Sequence, residues 1–179
     1  MLSDQLEQAA VYYLQVKALN PLANITFVGH SLGGGLASLM SVLFDENAVT
    51  FDQAPFRNAA LTYSDVDVDG KLVLRSASRD LRDYLSEKWY HSLLAPLDAY
   101  ILATDPDNLN PNPVDTLVAR EANVMNINVQ GEILSYLPYS RIGLQADITQ
   151  QNSMFIVAGN IYSGKAVNDG TVKAWREAA

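Results

Sequence analysis

The sequence predicts an α/β fold, a mostly parallel sheet flanked by helices, and three observations carry that expectation. Helical and extended patterns alternate through the N-terminal third, a glycine-rich turn over 29–35 joins an extended run directly to a helical one, and a second extended run follows that helix at 48–51. Alternation of this kind calls for parallel strands joined by crossover helices. A chain of 179 residues is long enough to bury one sizeable core, and neither a repeat nor a linker divides it, so one domain over 1–179 is expected.

The elements follow in order. Leu6, Ala9, Ala10, Tyr13 and Leu14 recur at helical spacing between Ser3 and Leu19, with Asp4, Glu7, Gln8 and Gln15 off that face, and Asn20-Pro21 stops the helix. Residues 25–28 have strand character; the apolar segment from about Gly33 to Asp45 reads as a helix, and Ala48 to Phe51 as a short strand closed by the loop Asp52-Gln53-Ala54-Pro55. Val66 to Leu74 alternates about Asp69-Gly70, a hairpin signal. Ser78 is the expected N-cap of a helix over 79–94 with Leu81, Tyr84, Leu85, Trp89 and Leu93 on its apolar face, ending near Pro96. Residues 105–113 combine turn formers with three prolines and read as a loop, 115–122 as a short helix and 124–129 as a strand. Further on, 153–158 is an apolar run of either type and 171–178 a candidate last helix.

Composition narrows the function classes. The hydrophobic share of 49% is that of a globular chain, and twelve basic against twenty acidic residues leave a formal charge of -8. An acidic surface disfavours nucleic acid or anionic membrane held by charge, and leaves room for a neutral ester or lipid bound by apolar contact. The absence of cysteine excludes disulfides and thiolate metal sites. The first seven residues lack a basic segment and a long apolar run, so no secretory signal is expected, and no apolar run approaches the ~20 residues that span a bilayer. A soluble chain of unassigned compartment is the expectation.

The glycine-rich turn is Gly29-His30-Ser31-Leu32-Gly33, a G-x-S-x-G arrangement with a strand before it and a helix after it. Ser31 is the candidate nucleophile, expected at the top of a strained bend, and side chains at Gly29 and Gly33 are expected to collide with the neighbouring strand or the helix start. The backbone N–H of Leu32, at a helix N-terminus, is the candidate oxyanion donor. His30 is expected to pack beneath the bend, because consecutive side chains at a strand end face opposite ways. His91, on the 79–94 helix, reads as a solvated helix histidine.

On residues 25–39, on Val49-Thr50-Phe51-Asp52-Gln53-Ala54-Pro55-Phe56 and more loosely on 126–132, the chain resembles a class 3 lipase-like bacterial α/β-hydrolase. The resemblance implies a partial α/β-hydrolase-like fold acting on carboxylic esters, with its triad in the chain order serine, acid, histidine. It places the acid at Glu132, with Asp147 a weaker candidate, and puts Asn152 of Gln151-Asn152-Ser153-Met154 where the histidine belongs. An amide has no basic site for the serine proton. Only a helix precedes the first strand, so the strands and loop that supply a second oxyanion donor are missing and the chain is expected to start inside the fold. Loss of a triad member costs on the order of 10⁴ to 10⁶ in turnover, and loss of one oxyanion donor ~10² to 10³ more. The expected function is therefore a lipase/esterase-like serine hydrolase, weakly active or inactive as it stands, or a non-catalytic interaction module of the same fold. Expected partners are an ester or lipid substrate and a homodimer mate or second chain covering the bare sheet edge; no cofactor is called for. Asp65, Asp67, Asp69 and Gly70 also match the first half of a calcium loop, although Ser76 stands where its bidentate glutamate belongs. A calcium-binding domain is thus a third reading, set against a hairpin that needs only Asp69-Gly70.

Overall fold

The computed structural model describes residues 4–61, 63–66, 69–70, 72–88, 90–105, 112–129 and 144–148, with 63–66, 72–75, 129 and 144–148 given by their backbone. The loop tip at 106–111, the runs 153–158 and 171–178, and Trp89 lie outside the described residues.

Helix α1 (Asp4–Leu19) buries Leu6, Ala10, Tyr13 and Leu14, the stripe its spacing predicts, with Asp4 and Glu7 at the positive end of its dipole and Lys17 at the negative end. Strand β1 (Thr26–His30) runs without a linker into α2 (Ser31–Phe44), and Asp45 closes α2 in the left-handed region at φ 56 before β2 (Asn47–Phe51). The sheet continues with β5 (Val124–Val129) and β6 (Leu144–Ile148) in the order β1-β2-β5-β6, every neighbouring pair parallel. Val28 lies against Val49, Val49 against Met125, and Ile127 against Ala146. The predicted class, a parallel sheet flanked by helices, is the one observed. Strand β6 was not expected, since the alternation of Leu144, Ala146 and Ile148 is too short to stand out from a loop.

Between β2 and β5 the chain makes α3 (Arg57–Ala60), the strands β3 (Tyr63–Val66) and β4 (Leu72–Arg75), α4 (Ala77–Ser86), a 3₁₀ turn at His91–Leu93, α5 (Ala95–Thr104) and α6 (Pro113–Glu121). The hairpin expected near 66–74 is present as a separate antiparallel ladder that runs from Tyr63↔Arg75 to Val66↔Leu72, with Gly70 at φ 78 in its turn.

The single helix expected over 79–94 is two helices. At 3.6 residues per turn, Leu94 on an unbroken helix would lie about half a turn away from Leu85. Both are fully buried, so the chain breaks after Ser86 and α5 brings Leu94, Leu97 and Tyr100 to the same core. Two further expectations change with it. The N-cap is Ser76, whose Oγ accepts from the Arg79 N–H at 3.4 Å, while Ser78 is buried inside the first turn and bonded to the Ser76 hydroxyl at 2.7 Å. Pro96 begins a helix instead of ending one, because the first turn has no use for its missing N–H.

The core gathers Leu14 of α1, Val42, Leu43 and Phe44 of α2, and residues of α4, α5 and α6; the Tyr13 ring meets those of Phe27 at 5.3 Å and Phe44 at 4.8 Å. Polar ties run across it. Arg120 donates to the carbonyls of Val42 at 2.8 Å, Leu43 at 3.1 Å and Pro96 at 3.0 Å, satisfying C-terminal oxygens of α2, and stacks over Tyr100 at 5.1 Å. Burial pulls the Arg120 pKa down, while Asp45 and Tyr100 oppose that pull. Arg57 grips the buried Glu121 with two bonds of 2.7 and 2.5 Å, joining α3 to α6. No helix among the described residues is long and apolar enough to cross a membrane.

Replacing Arg120 with alanine strands those carbonyls, and urea melts are expected to register a loss of about 3 kcal/mol. Burial raises the Tyr100 phenol pKa, with Arg120 opposing and Glu121 adding, and raises that of Tyr13, with its bond to Glu46 adding. In the unfolded chain both phenols release protons near pH 10, whereas the native chain retains them, so the melting temperature is expected to fall as pH rises past about 10. Tyr13→Phe combined with Tyr100→Phe should flatten that alkaline fall, and a fall of unchanged steepness would contradict this assignment.

Candidate active site at the carboxyl edge of the sheet

The parallel sheet places the carboxyl ends of all its described strands on one edge, the ordinary site for ligands in open α/β sheets. Ser31 follows β1 there and Asp52 follows β2. The backbone reverses within one residue: His30 is extended at φ -122, ψ 145, and Ser31, the first helical residue, has φ 53. A non-glycine residue in the left-handed region costs ~1–3 kcal/mol and persists only where its surroundings over-determine it.

Those surroundings are visible. A Cβ at Gly29 would lie 2.1 Å from the Gly33 carbonyl oxygen, so only a bare strand end lets the helix start this close. A Cβ at Gly35 would come within 2.7 Å of the Ala54 oxygen, and one at Gly34 within 3.1 Å of Gln53, so the loop after β2 lies directly on the first turns of α2. The Ala54 N–H donates to the Ser31 carbonyl at 2.9 Å and closes the contact. The expectation for Gly33 is corrected: it is exposed, with nothing within 4 Å of an added Cβ, because it turns away from both strand and loop.

The loop is itself anchored by buried polar side chains. Gln53 Oε1 accepts from the Ser38 hydroxyl and from Thr50 Oγ1 at 3.0 Å; Thr50 also reaches Asn126 Oδ1 at 3.1 Å, and Asn126 donates to Asn128 at 3.0 Å. All five residues are buried. The chain of bonds joins α2, the loop, β2 and β5 behind the bend, in a low-dielectric interior where satisfied polar groups specify one arrangement.

Asp52 is also left-handed, at φ 44, and buried, with its N–H donated to the Ile127 carbonyl at 3.0 Å. Its Oδ2 lies 3.9 Å from Nε2 of His30. His30 is not packed beneath the bend: its side chain is 63% exposed, as expected of the face of β1 that also carries the exposed Thr26 and Val28. β1 is also the last strand of the described sheet on that side, so its outer edge is unpaired among the described residues. Sequence reasoning assigned no role to Asp52; the available signal was an aspartate directly after the strand that follows the serine.

Ser31 is half-buried and Leu32 is 65% exposed, its N–H among the first-turn donors that no helical carbonyl satisfies. His91 is exposed, as expected, but sits in a 3₁₀ turn rather than a helix. Its neighbours Ser92 and Leu93 share a cleft with Phe44 and Asp45, at the far end of α2 from Ser31, and a helix of 14 residues spans about 21 Å, so the fold does not bring His91 to the serine. Glu132 and Asn152 follow β5 and β6 in sequence and lie outside the described residues; for Asp147 and Asp65 only the backbone is described, and Asp67 is outside. Asp69 is exposed, and among the described residues no group of three or more histidines or carboxylates is placed to hold a metal ion.

Residues 3–73 match the family model of a phospholipase-like family, the Tle-like phospholipase domain. The matched segment runs from α1 into the hairpin and contains the Ser31 bend, both strands beside it and the Asp52 loop. At family level the chain is lipase- or phospholipase-like over this segment.

The two outer glycines of the bend separate by substitution. Gly29→Ala is expected to abolish the native bend, seen as loss of cooperative melting or of soluble protein. Gly33→Ala should fold with its stability unchanged or raised by less than ~1 kcal/mol, since the preference for alanine over glycine is largest in a helix interior and Gly33 lies in the first turn.

Proposed function

We propose that this chain is a lipase/esterase-like serine hydrolase of carboxylic esters, with turnover that is weak as the chain stands. The supporting observation is Ser31 itself, a non-glycine residue at φ 53 between an extended strand end and a helix N-terminus. In this reading the finer resemblance to class 3 lipases rests on the same residues. The Ser31 hydroxyl oxygen attacks the ester carbonyl carbon, the carbonyl oxygen takes up negative charge, and the Leu32 N–H at the positive end of α2 stabilises it. Glu132 is the proposed acid and Asn152 stands at the proposed base position.

The deficit lies in the proton. Of the two histidines, His91 is remote and His30 stands beside the serine in the chain. One observation favours a second acid: the buried Asp52 carboxylate lies 3.9 Å from the His30 imidazole, and in this reading any residual base chemistry is assigned to that pair. At the triad position, where Asn152 stands for the histidine, the general-base assistance worth ~10² to 10⁴ is not supplied.

Ser31→Ala is expected to reduce p-nitrophenyl ester hydrolysis to the uncatalysed background; equal rates for both proteins would leave the non-catalytic interaction module as the function. Asn152→His is expected to raise turnover about 10²-fold or more. A folded variant without that gain removes position 152 from the site. Asp52→Asn and His30→Gln should each lower the residual rate and alter its pH profile, while Glu132→Gln distinguishes the two acids.

A further inference from the structure

The buried polar chain behind the bend stands where apolar side chains are the rule. Thr50 of β2 and Asn126 and Asn128 of β5 are fully buried in parallel strands, at positions that ordinarily carry valine, isoleucine or leucine. Ser38 on α2 and Gln53 in the loop after β2 are equally buried. Every buried side-chain nitrogen and oxygen among the described residues has a hydrogen-bond partner. Even so, a satisfied pair adds little net stability, since apolar replacements of the same shape at both partners are close to neutral. Stability therefore does not account for the chain, but its position does.

Ser31 at φ 53 and Asp52 at φ 44 are both non-glycine residues in the left-handed region, and between them lies one contact, the Ala54 N–H bonded to the Ser31 carbonyl at 2.9 Å. Such conformations persist only where the surroundings fix them. The loop that makes this contact is held through the Gln53 amide. Its Oε1 takes the Ser38 hydroxyl of α2 and lies 3.0 Å from Thr50 Oγ1, and the same Thr50 oxygen lies 3.1 Å from Asn126 Oδ1. Thr50 also pairs in register with Gly29 on one side and Asn126 on the other, so it stands between the strand that ends at the serine and the strand that precedes Glu132.

We infer that Thr50 and Gln53 are positioning residues for Ser31: their buried hydrogen bonds, and not apolar packing, hold the 52–54 loop on α2 and so fix the Ser31 main chain and the Asp52 carboxylate. That this geometry serves ester turnover rests on the proposed role of Ser31; that these bonds hold the loop does not. Thr50→Val and Thr50→Ser separate the two roles. Valine keeps the volume and loses the bonds, whereas serine keeps the hydroxyl and leaves a small void, so packing and bonding rank the two variants in opposite order.

The test is amide hydrogen exchange in the full chain, read as the ratio of the rate at Ala54 to the rate at Leu43 in the buried part of α2. Thr50→Val is expected to raise that ratio at least tenfold and Thr50→Ser less than threefold. Ser38→Ala removes the other donor to Gln53 at a helix position that suits alanine; it should raise the ratio as well and guards against a Thr50→Val chain that does not fold. An unchanged ratio in Ser38→Ala or in folded Thr50→Val, or a larger rise in Thr50→Ser than in Thr50→Val, overturns the assignment. In ester hydrolysis Thr50→Val should lower kcat at least tenfold with KM unchanged, and Thr50→Ser should restore most of it, because the lost bonds orient the nucleophile and bind no substrate. A loosened loop with unchanged kcat would overturn the positioning role. Equal rates for wild type and Ser31→Ala, with the exchange pattern as expected, would overturn the nucleophile and keep Thr50 and Gln53 as the residues that hold the bend.

Discussion

Backbone contact between the first turns of α2 and two neighbouring segments is the constraint on which the rest depends. At Gly29, Gly34 and Gly35 there is no room for a Cβ in ordinary contact, so strand end, helix start and the loop after β2 meet through main chain. That contact holds Ser31 in a conformation its side chain disfavours, with the Ala54 N–H bonded to its carbonyl. Strain at one residue persists when a rigid surround leaves no alternative.

The surround is rigid because both sides of the contact are anchored. On one side α2 is apolar nearly all round and buried from Ala37 to Phe44, with its last carbonyls held by Arg120 from α6. On the other, Gln53 and Thr50 tie the loop to Ser38 and to Asn126 through buried hydrogen bonds. The two arrangements differ in kind. Apolar packing supplies most of the stability and tolerates substitutions of similar volume, whereas a buried polar chain is favourable only when every member is paired, and so it fixes one geometry.

Polar and apolar surfaces around the bend are likewise separate. The carboxyl edge carries Ser31, Asp52 and His30, while the described lining of the adjoining cleft, between α1, the first turns of α2 and the loop after β2, is apolar apart from Gln5. The likeness of residues 3–73 to a phospholipase domain falls on the segment that builds the edge and, Ala77 apart, the described lining of the cleft.

Local pattern alone determined the helix at 4–19, the parallel strands at 26–30, 47–51 and 124–129, the hairpin about Gly70 and the Ser31 bend, because each is written in spacing or in glycine placement within a short window. Tertiary structure decided what depends on a partner distant in sequence. The break between α4 and α5 exists because Leu85 and Leu94 must reach one core, although their spacing on a single rod would point them apart. His30 is exposed because nothing described covers that face of the edge strand, and Gly33 is unencumbered while Gly34 and Gly35 are not, because the loop at 53–54 passes on one side of the helix only. Asp52 acquires its place beside the bend from the pairing of β1 with β2, a contact between residues some twenty positions apart that no local pattern encodes.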